Sequence, residues 1–514
     1  MEAMDQSVPP AILEPVMMDT VGEESMDQSV PPPTVLETVM EDTVGERRAE
    51  AEAEAEAEEE DVCGISFAED GLSSVGGGRS IQQGVGTTAV DKLHGCSTID
   101  SVAPHFAFTD DIEIESAQLD SQPDRIIPSN GMSAEPYEFL FSATDDYFVD
   151  LNSVTMHAQV QVTKADGTAL PAATDDCWPV DNLLSSLWKT VEVKFNHVTM
   201  HPETSSQHGY RAQMEYLLSI ENSTKNSYVT AWFGQTEAQR KARFKGRQAG
   251  VIDLCGPIAI DCLRTNTHLA PNNCLSLTFH RNTDKFLLLR GSDSTENYKL
   301  KILDVHLRCN RIRLVPAVKQ RVLSGLKGSG QNYRLSHTVV NDYPVKEGSK
   351  AVSIRLHQGG PLPNQVVVGM VLTSAFTGEY GSDPYKFEHF NMDMGYLRVN
   401  GMRMPQDPLT PDFANGHYAR ELLHLYQNTG KFRVNGGNSI TEADFIARSF
   451  LLPFDLTPDQ CNNAHAHASR TGTMELELSF SEALAKGITV VVLSVSNQVM
   501  QLDGLKSPPL TAVY

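Results

Sequence analysis

A hairpin followed by a helix occurs twice in this chain, about 200 residues apart. Segment 191–200 (VEVKFNHVTM) alternates apolar and polar residues around a turn at Asn196, and 207–218 (QHGYRAQMEYLL) carries helical spacing. Segments 395–404 (GYLRVNGMRM) and 416–426 (GHYARELLHLY) repeat the pair. Aligned on Asn196 and Asn400, the hairpins set Lys194 against Arg398, Phe195 against Val399 and Met200 against Met404, and each is followed by a proline, Pro202 or Pro405. With Tyr210 opposite Tyr418, Met214 meets Leu422 and Leu217 meets Leu425. A third match follows: Leu275, Leu277 and Phe279 correspond to Leu476, Leu478 and Phe480, each run preceding an aliphatic strand at 299–307 or 487–495. An ordered set of matches implies a duplicated domain.

Each copy is built of strands. Val154, Met156, Ala158, Val160 and Val162 fall on one face while Thr155, His157, Gln159, Gln161 and Thr163 fall on the other, the period of a half-buried strand. Tyr137, Phe139 and Phe141 repeat the pattern, as do Val352, Ile354 and Leu356. The run 366–372 lacks polar side chains and suits a strand buried on both faces. Helical spacing is confined to 210–220, 236–245 and 418–427. Strands so spaced with long polar connections predict a mainly β chain of two antiparallel jelly-roll sandwiches with short inserted helices. The expected divisions are an acidic tail at 1–62, a Gly/Ser linker and arm at 63–134, sandwiches at 135–320 and 335–505, a linker at 321–334 and a C-terminal tail at 506–514.

Charge is distributed unevenly. Residues 1–62 hold 19 acidic and 2 basic residues, a net −17, which leaves −8 of the total −25 for the rest. That tail repeats a proline-containing unit of about 22 residues from Met4 and Met26 and ends in AEAEAEAEEED. It has too little apolar surface to offset its chain entropy and reads as disordered. No basic segment leads into an apolar run at the start, and no run approaches the ~18 apolar residues of a membrane span, so the expected product is soluble, intracellular and not membrane-inserted. Eight cysteines without a CxxC pair read as reduced thiols.

Chemistry is sparse. The best metal candidate is Cys461, His465 and His467, whose HxH would project two imidazoles from one side of a strand, although its surroundings read as an exposed loop. Asp145–Asp146 and Asp175–Asp176 are adjacent pairs that point apart if extended and make poor acid–base dyads. Arg240, Lys241, Arg243, Lys245 and Arg247 form a dense basic patch around Phe244. It reads either as a contact for a polyanion or for the acidic tail of a neighbouring copy, or as the solvated face of a helix. There is no GxSxG, HExxH or Walker-type motif, and the sequence predicts neither a catalytic residue nor a cofactor.

DYFVDL at 146–151, PVDNLLSSLW at 179–188, YRA at 210–212, PYKFEHFN at 384–391 and PFDLTP at 453–458 together resemble the capsid-type proteins encoded by Maverick/Polinton elements and adintovirus-like viruses. The resemblance covers residues 100–505. It implies a double jelly-roll major capsid protein, a structural protein without enzymatic activity, whose homotrimers present six sandwiches as a pseudo-hexagonal block that tiles an icosahedral shell. The partners so implied are further copies of the chain, penton or minor capsid proteins, a viral protease acting on the N-terminal region and, indirectly, packaged DNA. Its place would be the virion, and before assembly the host cell, in the nucleus. The rival expectations are a minor or penton capsid protein and a metal-dependent enzyme on paired jelly rolls.

Overall fold

The computed structural model describes residues 117–513, apart from 133–134, 144–145, 171–176, 202–206, 246, 248–249, 292–293, 330, 435–436, 461–466 and 503–508. The first half contains β1 (Gln118–Ile126), β2 (Tyr137–Ser142), β3 (Phe148–Lys164), β4 (Cys177–Pro179), β5 (Trp188–Phe195), β6 (Val198–His201), β7 (Val251–Pro257), β8 (Cys274–Arg281), β9 (Leu288–Arg290) and β10 (Tyr298–Leu314). The second contains β11 (Gln331–Val345), β12 (Ala351–Pro361), β13 (Gln365–Leu372), β14 (Met392–Val399), β15 (Met402–Leu409), β16 (Leu451–Asp455), β17 (Thr471–Phe480), β18 (Ile488–Leu502) and β19 (Pro509–Val513).

Sheet order exposes the duplication. In the first half the sheets run β1-β10-β3-β7 and β2-β8-β5-β6; in the second they run β11-β18-β13-β16 and β12-β17-β14-β15. Setting aside the short β4–β9 pair and β19, each half therefore places its eight strands in the order first-eighth-third-sixth over second-seventh-fourth-fifth. That is the jelly-roll arrangement, and it occurs twice. Alternation builds the cores: in β3, Val154, Met156, Ala158, Val160 and Val162 are buried while the intervening residues are not. In β13 the residues from Val366 to Val371 are all buried, on both faces.

The repeated hairpins are β5–β6 and β14–β15, the fourth and fifth strands of each sandwich. Their turns put two consecutive residues in the left-handed region, Asn196 and His197 at φ 47° and 68°, Asn400 and Gly401 at 50° and 84°. This geometry matches strand twist and favours Asn at the first position. The side-chain Oδ1 of each Asn also accepts from the first residues of the seventh strand, from Cys274 N at 2.9 Å and from Thr473 N at 2.9 Å.

Helix α1 (His208–Ser219) and α2 (Glu237–Lys245) lie between the fifth and sixth strands of the first sandwich; α3 (Pro316–Ser329) joins the sandwiches; α4 (Ala419–Asn428) and α5 (Glu442–Ala447) lie between the fifth and sixth strands of the second.

Four sequence expectations need correction. The first sandwich begins at β1, inside the expected arm, because QLDSQPDRI pairs with β10 as a polar edge strand and shows no apolar alternation. The expected linker at 321–334 is the end of α3 and the start of β11; Pro316 opens that helix, where a missing N–H costs nothing. The expected C-terminal tail includes β19, which pairs with β18. Finally, Phe195 pairs with Leu275 and Val399 with Met474, so Leu275 corresponds to Met474 and not to Leu476. A slip of two residues keeps every side chain on its face and leaves no trace in the pattern.

Candidate functional site

The junction between the sandwiches holds the densest set of buried polar and aromatic groups. Tyr210 on α1 is fully buried, its ring centroid 5.3 Å from Phe376, 5.4 Å from Tyr385 and 6.2 Å from Phe387, all of the second sandwich, and 5.8 Å from Phe286 of the first. Tyr385 shares a 2.7 Å hydrogen bond with Ser186. Arg240 on α2 is buried and donates to Asp383 Oδ2 at 2.8 Å across the junction. Burial pushes the Asp383 carboxyl up, but the charge and hydrogen bond of Arg240 outweigh it and hold the carboxyl below its ordinary range. Asp181, also buried, accepts from Gln213 at 3.1 Å and from Gln235 N at 3.2 Å, and lies 3.5 Å from Arg448 of the second sandwich.

A second row of bonds runs along β11. Arg211 on α1 donates to Asp261 at 2.6 Å, and Asp261 in turn accepts from Thr338 N and Thr338 Oγ1, both at 3.0 Å. His208 beside Arg211 is buried, which with the Arg211 and Arg264 charges depresses it to about 3 and keeps it neutral. A cleft of about 680 Å³ lies at this edge, lined by Glu215, Leu218 and Arg264 from one sandwich and Val367, Leu493 and Val495 from the other.

Contact is thus head-to-tail: the fifth-to-sixth-strand excursion of sandwich one, through α1, packs on β11 and β18 of the sheet β11-β18-β13-β16. Among the described residues, the counterpart pair, the excursion of sandwich two and the outer face of β1-β10-β3-β7, makes no comparable contact; Ser439 of that excursion instead donates to Leu217 O on α1 at 2.9 Å. On the excursion of sandwich two, Leu423, Phe432 and Val434 are 39%, 43% and 46% exposed. The outer face of β1-β10-β3-β7 presents His157, Gln159, Gln161, Asp253 and Arg308, where its covered counterpart presents Val367, Val371, Val491 and Leu493.

That open face carries one cluster of ionisable groups. His157 and His306 are cross-strand neighbours on β3 and β10, with ring centroids 4.6 Å apart. Nε2 of His157 is 2.9 Å from Asp253 Oδ1, and Nδ1 of His306 is 3.0 Å from Asp304 Oδ2. Arg125 on β1 reaches Asp304 at 3.1 Å and His306 Nδ1 at 3.2 Å. Sequence reading missed this group, since His157 lies 149 residues before His306. The one local signal is Asp304 and His306 two apart in a strand.

The basic patch expected at 240–247 is divided. Arg240 turns into the junction, and Arg243 donates to Val229 O at 2.8 Å with its guanidinium 4.3 Å from the Trp232 ring centroid. Lys241 pairs with Glu237 at 2.7 Å and sits 3.8 Å from the Trp178 ring centroid. Lys245 is exposed and Arg247 half-buried. The reason is amphipathicity: Arg240 and Phe244 are four apart and share the buried face of α2. Of the expected metal cluster, Cys461 and His465 lie outside the described residues, and His467 pairs with Asp459 at 3.2 Å. Asp146 binds Lys319 at 2.8 Å; Asp145, Asp175 and Asp176 lie outside the described residues.

Solved structures share this architecture. A chain of the Sputnik virophage superposes with a TM-score of 0.52 at 8% identity, over 81% of this chain and 93% of that one. A chain of the PBCV-1 virus capsid gives 0.50 at 9% identity, over 79% and 99%. The mavirus major capsid protein gives 0.44 at 10% identity, over 85% and 97%. An uncharacterized protein of Caenorhabditis elegans is 21% identical over 401 residues, 75% of this chain and 95% of that protein. No protein-family model matches. The structural neighbours are viral major capsid proteins, and at these identities the likeness establishes the shared double jelly-roll fold.

Proposed function

We propose that this chain is a major capsid protein, of the Maverick/Polinton and adintovirus-like kind, that acts as a homotrimer tiling an icosahedral shell. The observation that carries this reading is the half-used head-to-tail contact. Within the chain, the excursion of sandwich one packs on the sheet face of sandwich two. The excursion of sandwich two and the face of sandwich one remain for other copies. Repeating a heterologous contact of this kind between chains closes a ring when the rotation permits, and three two-sandwich chains supply the six units of a pseudo-hexagon. The polar composition of the open face fits a surface that must stay soluble before assembly, whereas the intrachain counterpart is apolar because it is never wet.

Under this reading function resides in surfaces, without catalysis, and the partners are further copies, penton or minor capsid proteins and, indirectly, packaged DNA. The protein would sit in the virion and pass through the nucleus before assembly. Among the described residues no helix is long and apolar enough to cross a membrane. Residues 1–62, with their net −17, lie outside the described residues; we assign them to an arm that a viral protease removes. We assign the tail or polyanion contact to the surface that carries Lys245 and Arg247.

Negative-stain imaging of the purified full chain tests the proposal. End-on views should show blocks with six lobes that pack into sheets. A field of two-lobed particles at every concentration would contradict it.

A further inference from the structure

We propose that His157, His306 and Asp304 hold one divalent transition-metal ion of the zinc class on the outer face of the first sandwich, with Asp253 orienting His157. One ligand atom from each of the three residues lies within 4.8 Å of the others. A tetrahedral zinc with bonds of about 2.0–2.2 Å sets its ligand atoms ~3.4 Å apart, so closing on an ion takes a side-chain adjustment of the order of 1 Å and no backbone movement.

The hydrogen bonding around the two imidazoles is the second observation. Each has one nitrogen against a carboxylate, His157 Nε2 on Asp253 and His306 Nδ1 on Asp304. The other nitrogen of each, His157 Nδ1 and His306 Nε2, is buried without a hydrogen-bond partner. His306 Nδ1 and Asp304 Oδ2, 3.0 Å apart, already stand near the separation of two ligands on one ion, and the ion meets His157 at its unpartnered Nδ1, with Asp253 on the opposite nitrogen as metal-binding histidines typically have. Arg125, whose guanidinium lies 3.1 Å from Asp304 Oδ2 and 3.2 Å from His306 Nδ1, gives way to the ion, its side chain being more than half exposed. Two nitrogen ligands and one oxygen favour zinc, cobalt, nickel or copper over calcium or magnesium.

Three protein ligands leave a fourth position for water. If the trimer reading holds, that position faces the adjoining copy, but binding by the single chain does not depend on it.

The test uses the full chain, stripped with chelator and dialysed, then titrated with zinc by calorimetry and with cobalt(II) by visible absorption. The expected result is one ion per chain with cobalt d–d bands of an imidazole-ligated site. His157→Ala and His306→Gln should each weaken binding at least tenfold, Asp253→Asn by roughly 10-fold or more, and His467→Ala should leave it unchanged. Should His306→Gln fail to fold, the half-buried His157 decides the matter. Absence of stoichiometric binding, binding that survives His157→Ala, or loss of binding on His467→Ala would each overturn the assignment.

Discussion

Replacing Arg240 by methionine keeps most of the aliphatic packing of α2 and removes one charge from the junction between the sandwiches. Asp383 then keeps its negative charge but loses its 2.8 Å partner. Breaking a buried pair from one side costs about 3–5 kcal/mol, because the remaining charge stays desolvated. Asp383 is half-buried and can recruit some water, so the expected loss is at the lower end, about 3 kcal/mol. At a urea slope of ~3 kcal/mol/M this lowers the unfolding midpoint by about 1 M. The double variant with Asp383→Asn should recover part of the loss, giving a coupling of about 1.5–3 kcal/mol in the mutant cycle. The pH dependence has a fixed sign. The Asp383 carboxyl is held below its ordinary value in the fold, so the pair's stabilisation is complete above pH 3.8 and is lost as pH falls through the depressed value. The gap between wild type and Arg240→Met should therefore narrow in strong acid. A variant within about 1 kcal/mol of wild type at pH 7, or a coupling near zero, would refute the claim that this pair ties the sandwiches together.

Acid should act earlier through buried histidines. His208 and His424 are depressed to about 3 and about 4 from 6.5, so they are neutral in the fold while the unfolded chain takes up their protons. Stability is full above pH 6.5 and should fall by up to ~2.7 kcal/mol per pH unit between about 6 and 4; a flat urea midpoint over that range would contradict their burial. Gly369→Ala puts a Cβ 2.7 Å from Phe387 and 2.9 Å from Leu451, an overpacking expected to cost about 1–3 kcal/mol by thermal unfolding. Asn400→Ala forces alanine to φ 50° and leaves Thr473 N without its acceptor, for about 2 kcal/mol, whereas Asn400→Gly should cost less because glycine accepts that φ. Equal losses in the two variants would show that the turn conformation is not what Asn400 supplies.

The parts of the fold written in local periodicity were legible. β3 and both hairpins could be read because their apolar faces repeat every second residue, β13 because its apolar run is unbroken, and the paired asparagines marked equivalent turns in both sandwiches. β1 was not legible, since an edge strand of polar residues owes its place to hydrogen bonds from β10 and not to its own pattern. α3 looked like a linker because Gly325 and Gly328 outweighed its Pro316 start. The junction was the hardest to see. Arg240 reads as surface charge in a basic run, and only the position of Asp383, 143 residues away, makes it internal. The His157–His306 pair depends in the same way on a register between distant strands, which composition does not encode.

Under the proposed function, two sandwiches in one chain are one third of a six-sandwich block. Sedimentation equilibrium of the full-length protein tests this most directly. A trimer gives a single species of three times the 56.4 kDa chain mass. A species that stays at the mass of one chain across the concentration range would contradict it.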